Sequence, residues 1–284
     1  MSLVVNTNVT STIVQKNLTN ANSGVSKSVQ RLSTGFKINK AADDAAGLAI
    51  AQGMKSQVSG TLVAEDNTQH GINLLQTAEG DLATIQENLQ RVRDLTVQAA
   101  NGTYAADEKA MIANEVNARM NEITRIAKVS KFSSITLLDT DKTADAVTLQ
   151  VGANTGADNQ LSIGDCLIKA TATALNAHFT STYINDTAFA SSSAANTFIA
   201  DVDSAISKVS TARSKLGAYQ NRLETTLNSL STRYENLSSS LSTIQDTDVA
   251  SETANLTKQQ ILQQMSASLL ATANQNPSIA LNLL

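Results

Sequence analysis

Residues 198–244 read FIADVDSAISKVSTARSKLGAYQNRLETTLNSLSTRYENLSSSLSTI. Val209, Leu216, Leu223, Leu230, Leu237 and Ile244 recur at every seventh residue. A second row follows four residues after each, polar at Arg213 and Gln220, apolar at Leu227, Tyr234 and Leu241. A strict seven-residue apolar repeat draws one narrow seam along a helix and turns it toward another helix in a left-handed coiled coil. No glycine follows Gly217 and the only proline is Pro277, so nothing breaks the helix from within. At 1.5 Å per residue the stretch is roughly 70 Å long. Such a rod cannot be the core of a compact globule and needs a partner of similar length.

The other half of the chain supplies one. Ile50, Met54, Val58 and Leu62 keep helical spacing, and heptads follow at Leu75, Ala78, Leu82, Ile85, Leu89, Val92, Thr96 and Ala99. Asn101-Gly102 ends this helix with residues that tolerate a left-handed cap. A shorter helix carries Ala113, Val116, Met120, Ile123 and Ala127. Toward the N-terminus, Val14, Leu18, Ala21, Val25, Val29, Leu32 and Phe36 form one stripe, and Gly35 marks a break. Residues 39–47 read as an irregular connection, with Asp43 and Asp44 expected in the first turn of the next helix, favourable to its dipole. Residues 252–275 are expected to be helical again, with Leu256, Ile261, Leu262, Met265, Leu269 and Leu270 apolar.

In the middle the period changes. Val147, Leu149 and Val151, then Leu161 and Ile163, alternate with polar residues around a loop at 152–159, the pattern of a strand–loop–strand. Residues 169–197 are rich in Ala, Ser and Thr and show no assignable period. The expected fold is mainly α, with long antiparallel coiled-coil helices from both chain ends and a small β-hairpin insert. That layout sets the two ends side by side. The polar-faced helix of residues 1–36 is marginal alone in water. It is expected to order by burying Leu18, Val25 and Leu32 against Leu262, Met265 and Leu269 of the same or a neighbouring chain.

Composition narrows the function. Hydrophobic residues make up 42%, yet only 3% are aromatic and Trp is absent, so Ala, Leu, Ile and Val carry the core. A net charge of −4 gives no reason to expect nucleic acid or an acidic membrane surface. Cys166 is alone and forms no disulfide framework. No run approaches the 18 or so apolar residues of a membrane span. The N-terminus lacks the basic and apolar regions of a cleavable signal peptide. His70 and His178 stand alone, and no phosphate-binding loop, HExxH pattern or nucleophile elbow occurs. No catalysis, metal or cofactor is expected.

Three motifs in order then resemble bacterial flagellins: RLSTGFKIN at 31–39 with AADDAAGLAIA at 41–51, LQRVRDLTVQAANGT at 89–103, and ANLTKQQILQQ at 254–264. The resemblance covers about 1–140 and 198–284, and only about 60 residues separate the two parts, so the large central outer domains of many flagellins are missing. It implies a structural subunit that self-assembles into the extracellular flagellar filament for swimming motility. In that scheme residues 1–45 with 245–284 line an inner tube. Residues 46–244 form a coiled-coil shell with a small tip at about 131–197. Implied partners are further copies of the chain, an export chaperone, the filament cap and hook-junction proteins, and Toll-like receptor 5. The chaperone and inner-tube face falls on Leu256, Ile261, Leu262, Met265, Leu269 and Leu270. The receptor face falls on Gln90, Arg91, Leu95 and Glu115, with Arg91 and Leu95 expected to share an exposed face. A hook–filament junction protein and a soluble coiled-coil adaptor are the alternatives. The chain departs from the family at Ser133-Ser134-Ile135, where glycine is frequent, at Thr243-Ile244-Gln245 and Val249, where Arg and Tyr are common, and at Asp94, commonly Glu.

Overall fold

The computed structural model describes residues 7–139 and 147–281. Residues 1–6, 140–146 and 282–284 lie outside it, and with them part of the expected tip and the outermost ends of the expected inner-tube segments. Five long helices account for most of the described residues: α1 (Val9–Thr34), α2 (Ala45–Ala100), α3 (Ala106–Val129) and a C-terminal pair described below. Two small hairpins follow α3. One joins β1 (Lys131–Phe132) to β2 (Ile135–Thr136), and the other joins β3 (Thr148–Gln150) to β4 (Gln160–Ser162), both antiparallel. Two short helices, α4 (Ala172–Leu175) and α5 (Ser181–Tyr183), lead to a π-helical turn at Ile184–Ala188. The chain closes with α6 (Ser192–Gln245) and α7 (Val249–Leu281). The fold is mainly α with small antiparallel hairpins. The β3–β4 pair is the alternation read from the sequence, and β1–β2 is an addition to it.

Helix ends follow local chemistry. Gly35 takes a left-handed conformation (φ 75°) and its N–H returns to the Arg31 carbonyl, closing α1. Asp43 and Asp44 fall outside the first turn of α2, contrary to expectation. Asp44 precedes the helix and its carboxylate accepts from the Gly47 N–H at 2.9 Å, the geometry of a cap. Asp43 accepts from the N–H groups of Asn39 and Lys40 and pairs with Lys27 at 2.9 Å. The short side chains thus serve the connection before the helix. The helix itself begins one residue later.

The chain packs as two compact units, one built from the two chain ends (up to residue 58 and from 235 onward), the other from residues 59–234. In the second unit every expected α2 heptad residue from Leu75 to Ala99 is buried, as are Val209, Leu216, Leu223 and Leu230 of α6. All but Thr96 and Leu230 form one continuous core with Ala113, Val116, Met120, Ile123 and Ala127 of α3. The polar early members of the second α6 row are explained by α2: Arg213 donates to Gln86 at 2.7 Å, and Arg213 and Gln220 each reach Glu79 at 3.5 Å. Rising numbers on α6 meet falling numbers on α2, so the two helices run antiparallel. Leu237 and Ile244, which continue the seam into the first unit, are only half-buried. At the N-terminal end of α2 the expected stripe gives way: Ile50 and Leu62 are exposed, while Ala51, Thr61, Ala64 and Thr68 are buried.

Candidate functional site

Two surfaces carry the residues singled out from sequence. The first is the α1–α7 pair within the first unit. These helices are antiparallel and linked by side-chain bonds spread over their length. Asn8 Nδ2 donates to the Ala273 carbonyl at 2.8 Å, Ser11 Oγ to Asn274 at 2.8 Å, Gln263 Nε2 to Asn22 at 2.7 Å, and Arg31 Nη1 to Glu252 at 3.3 Å. At Gly24 the helices approach so closely that a Cβ would sit 2.7 Å from Gln259 Cδ. Beside the ends of α1 and α6, backbone bonds from Lys37 N to Gln245 O (2.7 Å) and from Thr247 N to Gly35 O (2.8 Å) hold the two helix breaks against each other.

The α7 residues turned inward are Glu252, Ser266 and Ala273, with Leu256, Gln259, Gln263 and Leu270 half-buried between them. Their three- and four-residue spacing is that of a coiled-coil seam, filled mostly by polar and small side chains. On α1 the inward row is Val14, Leu18, Ala21, Val25, Ser28 and Leu32, all buried or half-buried. The expected pairing of Leu18, Val25 and Leu32 with Leu262, Met265 and Leu269 does not occur within the chain. Ile261, Leu262, Met265 and Leu269 all face outward, Ile261 at 55% and Met265 at 56% exposure. Counting apolar residues selects the outward face and misses the polar seam. The seam's own signal was the spacing 252, 256, 259, 263, 266, 270, 273.

The second surface lies where α2 meets α3 in the second unit. Arg91 Nε and Nη2 both donate to Glu115 Oε1, at 3.2 and 3.1 Å, so two of the four selected residues form one exposed ion pair. Gln90 is exposed beside them. Leu95 is not: it is 2% exposed and belongs to the core, which corrects the expectation of an exposed Arg91–Leu95 face. The physical cause is α3. Two-sided packing widens the buried arc of α2, so a row at Asp81, Asn88 and Leu95 is covered as well as the heptad seam. Ser130 Oγ donates to Asp81, and Arg119 Nη1 to Asn88 at 3.3 Å, along the same contact.

The unit's single cysteine is a packing residue. Cys166 is buried, its Sγ donates to the Ile163 carbonyl at 2.8 Å, and burial, helped by the neighbouring Asp165 charge, pushes its thiol up to about 12. A thiol so rarely ionised is a packing group. Among the described residues no three His, Cys, Asp or Glu side chains are grouped to hold a metal, and no helix is long and apolar enough to cross a membrane.

The chain matches two family models: the bacterial flagellin N-terminal helical region over residues 5–143 and the bacterial flagellin C-terminal helical region over 199–284. It is 40% identical to a flagellin of Halalkalibacterium halodurans, with 99% of this chain and 100% of that protein aligned. A flagellar filament 33 kDa core protein of Treponema phagedenis is 36% identical over 99% of this chain and its own full length. Among solved structures, a flagellar hook-associated protein from Vibrio parahaemolyticus aligns over 71% of this chain and 99% of that one with a TM-score of 0.56; at 13% identity the likeness concerns the fold alone. The paired end-to-end helices, the small central insert and the full-length alignments agree, and the chain belongs to the bacterial flagellin family.

Proposed function

We infer that this chain is the structural subunit of a bacterial flagellar filament, self-assembling outside the cell into the homopolymer that drives swimming. One observation carries the reading: α7 keeps a polar row against α1 and turns Ile261, Leu262, Met265 and Leu269 to solvent. Fully burying such a side chain contributes about 1.5–3 kcal/mol. A single chain forgoes this and neighbouring copies recover it, so association is favoured over the isolated subunit. Within the filament, residues 1–45 with 245–284 are assigned to the inner tube, and residues 46–244 to the shell, with the tip at about 131–197. Electron microscopy of the purified chain under polymerising conditions tests this. Long filaments are expected from wild type and none from Ile261→Asp plus Met265→Asp, with the monomer's helical content retained. Short rings from wild type point to a hook–filament junction protein, and failure to associate to a soluble adaptor.

The same apolar row, together with Leu256 and Leu270 of the seam once α1 is undocked, is the face assigned to an export chaperone before assembly, since one helix face can serve successive grooves. Export through the flagellar channel and contacts with the filament cap and hook-junction proteins complete the proposed partners. A second reading rests on the Arg91–Glu115 pair, which joins residues from α2 and α3 into one charged patch with Gln90. We assign this patch to Toll-like receptor 5 on free subunits, with Leu95 supporting it from the core. Arg91→Ala plus Gln90→Ala should lower the signal in receptor-bearing reporter cells, and an undiminished signal rejects the assignment.

A further inference from the structure

The stretch with no readable period, residues 169–197, contains an arrangement that neither assembly nor receptor contact uses. Phe198, at the start of the buried α6 seam, is the hub of a ring cluster. Phe179 and Phe189 meet it edge-on at 5.6 and 5.8 Å between centroids, and Tyr183 stacks on it at 6.4 Å. His178 in turn stacks on Tyr183 at 4.4 Å. All the rings that cover Phe198 come from residues 177–190.

The backbone of that segment is held only locally. Its hydrogen bonds run from Phe179 N to Asn176 O, Ile184 N to Thr180 O and Ala190 N to Thr187 O; among the described residues none reaches another long helix. Its polar attachment to α6 converges on one carboxylate. Asp201 Oδ2 meets His178 Nδ1 at 2.6 Å, and Asp201 Oδ1 accepts from Asn176 Nδ2 at 2.9 Å. One turn-pair further along α6, Lys208 Nζ donates to the Leu175 carbonyl at 2.7 Å and fixes the segment's upstream boundary. At the other end, an open surface pocket of about 300 Å³ lies between Asn185, Phe189 and Ala190 of the segment and Tyr104, Lys109 and Ala110 before and on α3. Asn117 Nδ2 of α3 donates to Asn185 Oδ1 at 2.5 Å, and Phe179, Ile184, Ala188 and Phe189 are buried, so side chains rather than backbone bonds hold the segment down.

We propose that residues 177–190 form a strap that opens and closes over Phe198 as one cooperative unit, with Asp201 as its clasp and Lys208 marking its hinge. Segments with few backbone bonds to their surroundings are the ones that open below the free energy of global unfolding. Here the ring cluster makes the opening all-or-none, because Phe179, Tyr183 and Phe189 share a single partner ring. Phe179, Ile184, Ala188 and Phe189 belong to the same core as the heptads from Leu75 to Leu89, and opening uncovers that core at Phe198 without requiring the long helices to part.

Hydrogen exchange of the full-length monomer, read by mass spectrometry, tests this in wild type, His178→Ala and Asp201→Ala. His178 is solvent-exposed, so its removal leaves the core intact. Both variants should raise exchange across 177–190 on the order of tenfold, the scale of losing a hydrogen bond to a charged group, with α3 and residues 205–223 of α6 unchanged. Lys208→Ala should extend the fast region upstream to α4. Equal acceleration of strap and bundle, no acceleration in either clasp variant, or exchange that rises at His178 alone while 183–190 stays slow would overturn the proposal.

Discussion

Arg31 on α1 donates to the Glu252 carboxylate on α7 across 3.3 Å, and Glu252 is only 7% exposed. It is the charge pair between the two terminal helices among the described residues, set in a seam of small, amide and aliphatic side chains. Removing one partner leaves the other charge enclosed without compensation. Glu252→Ala is expected to cost about 1–2 kcal/mol, below the figure for a fully buried pair because the Arg31 side chain keeps a quarter of its surface in water. Hydrogen exchange through residues 9–34 should speed up while α2 and α3 amides stay slow. Arg31→Lys should recover only part of the loss, because a lysine offers a point charge where the guanidinium offers a fork.

Two glycines inside α2 should respond in opposite ways to alanine. Around Gly80 nothing lies within 4 Å of an added Cβ. Gly80→Ala should therefore stabilise by about 1 kcal/mol, the helix-propensity difference. At Gly71 the same Cβ would collide with Leu149 Cδ1 of the β3–β4 hairpin, so the gain is cancelled by moving the hairpin off the helix. Urea unfolding of the two variants side by side, with equal shifts for both, would show that the hairpin does not depend on Gly71.

Ser133 sits at φ 53°, the left-handed region, in the two-residue connection of the β1–β2 hairpin. A side chain there costs roughly 1–2 kcal/mol relative to a residue without Cβ. Ser133→Gly is expected to raise stability by about 1 kcal/mol after the added freedom of the unfolded glycine is discounted. Thermal melts that show no gain would mean the Ser133 hydroxyl offsets the strain.

The Asp43 carboxyl is held below the usual carboxylate range, first by its hydrogen bond from Lys27 and then by the Lys40 and Asn39 N–H groups. A depressed carboxyl contributes stability above its ordinary pKa, about 3.9, and that contribution is lost as pH falls through the lower folded value. Asp43→Asn should therefore melt below wild type at pH 7, and the gap should narrow as pH falls below the ordinary carboxylate range. A gap independent of pH would assign the effect to packing.

Much of this molecule is legible from spacing alone. The α2 and α6 heptads are local properties of one helix, and each apolar row from Leu75 to Ala99 and from Val209 to Leu230 lands in the core. Gly35 announces its helix end because a left-handed cap depends on the residue itself; Asn101-Gly102 also follows the end of α2, but neither residue takes the left-handed conformation expected of it. The alternation at 147–151 and 161–163 likewise announces its hairpin. What spacing cannot state is which neighbour a face meets. Leu95 lies beside the α2 seam and is covered only because α3 folds back along that side. The outward row of α7 was read as its packing face, whereas α1 takes the polar row. Both rows have helical period, and the choice between them is made by Gly24, Asn22 and Arg31 of a helix more than two hundred residues away. Residues 177–190 show no period, because their side chains converge on Phe198 from an irregular backbone. The sequence by itself determined the helices, their caps and the family. Only tertiary structure decided which faces remain for partners, because burial depends on what other parts of the chain leave uncovered.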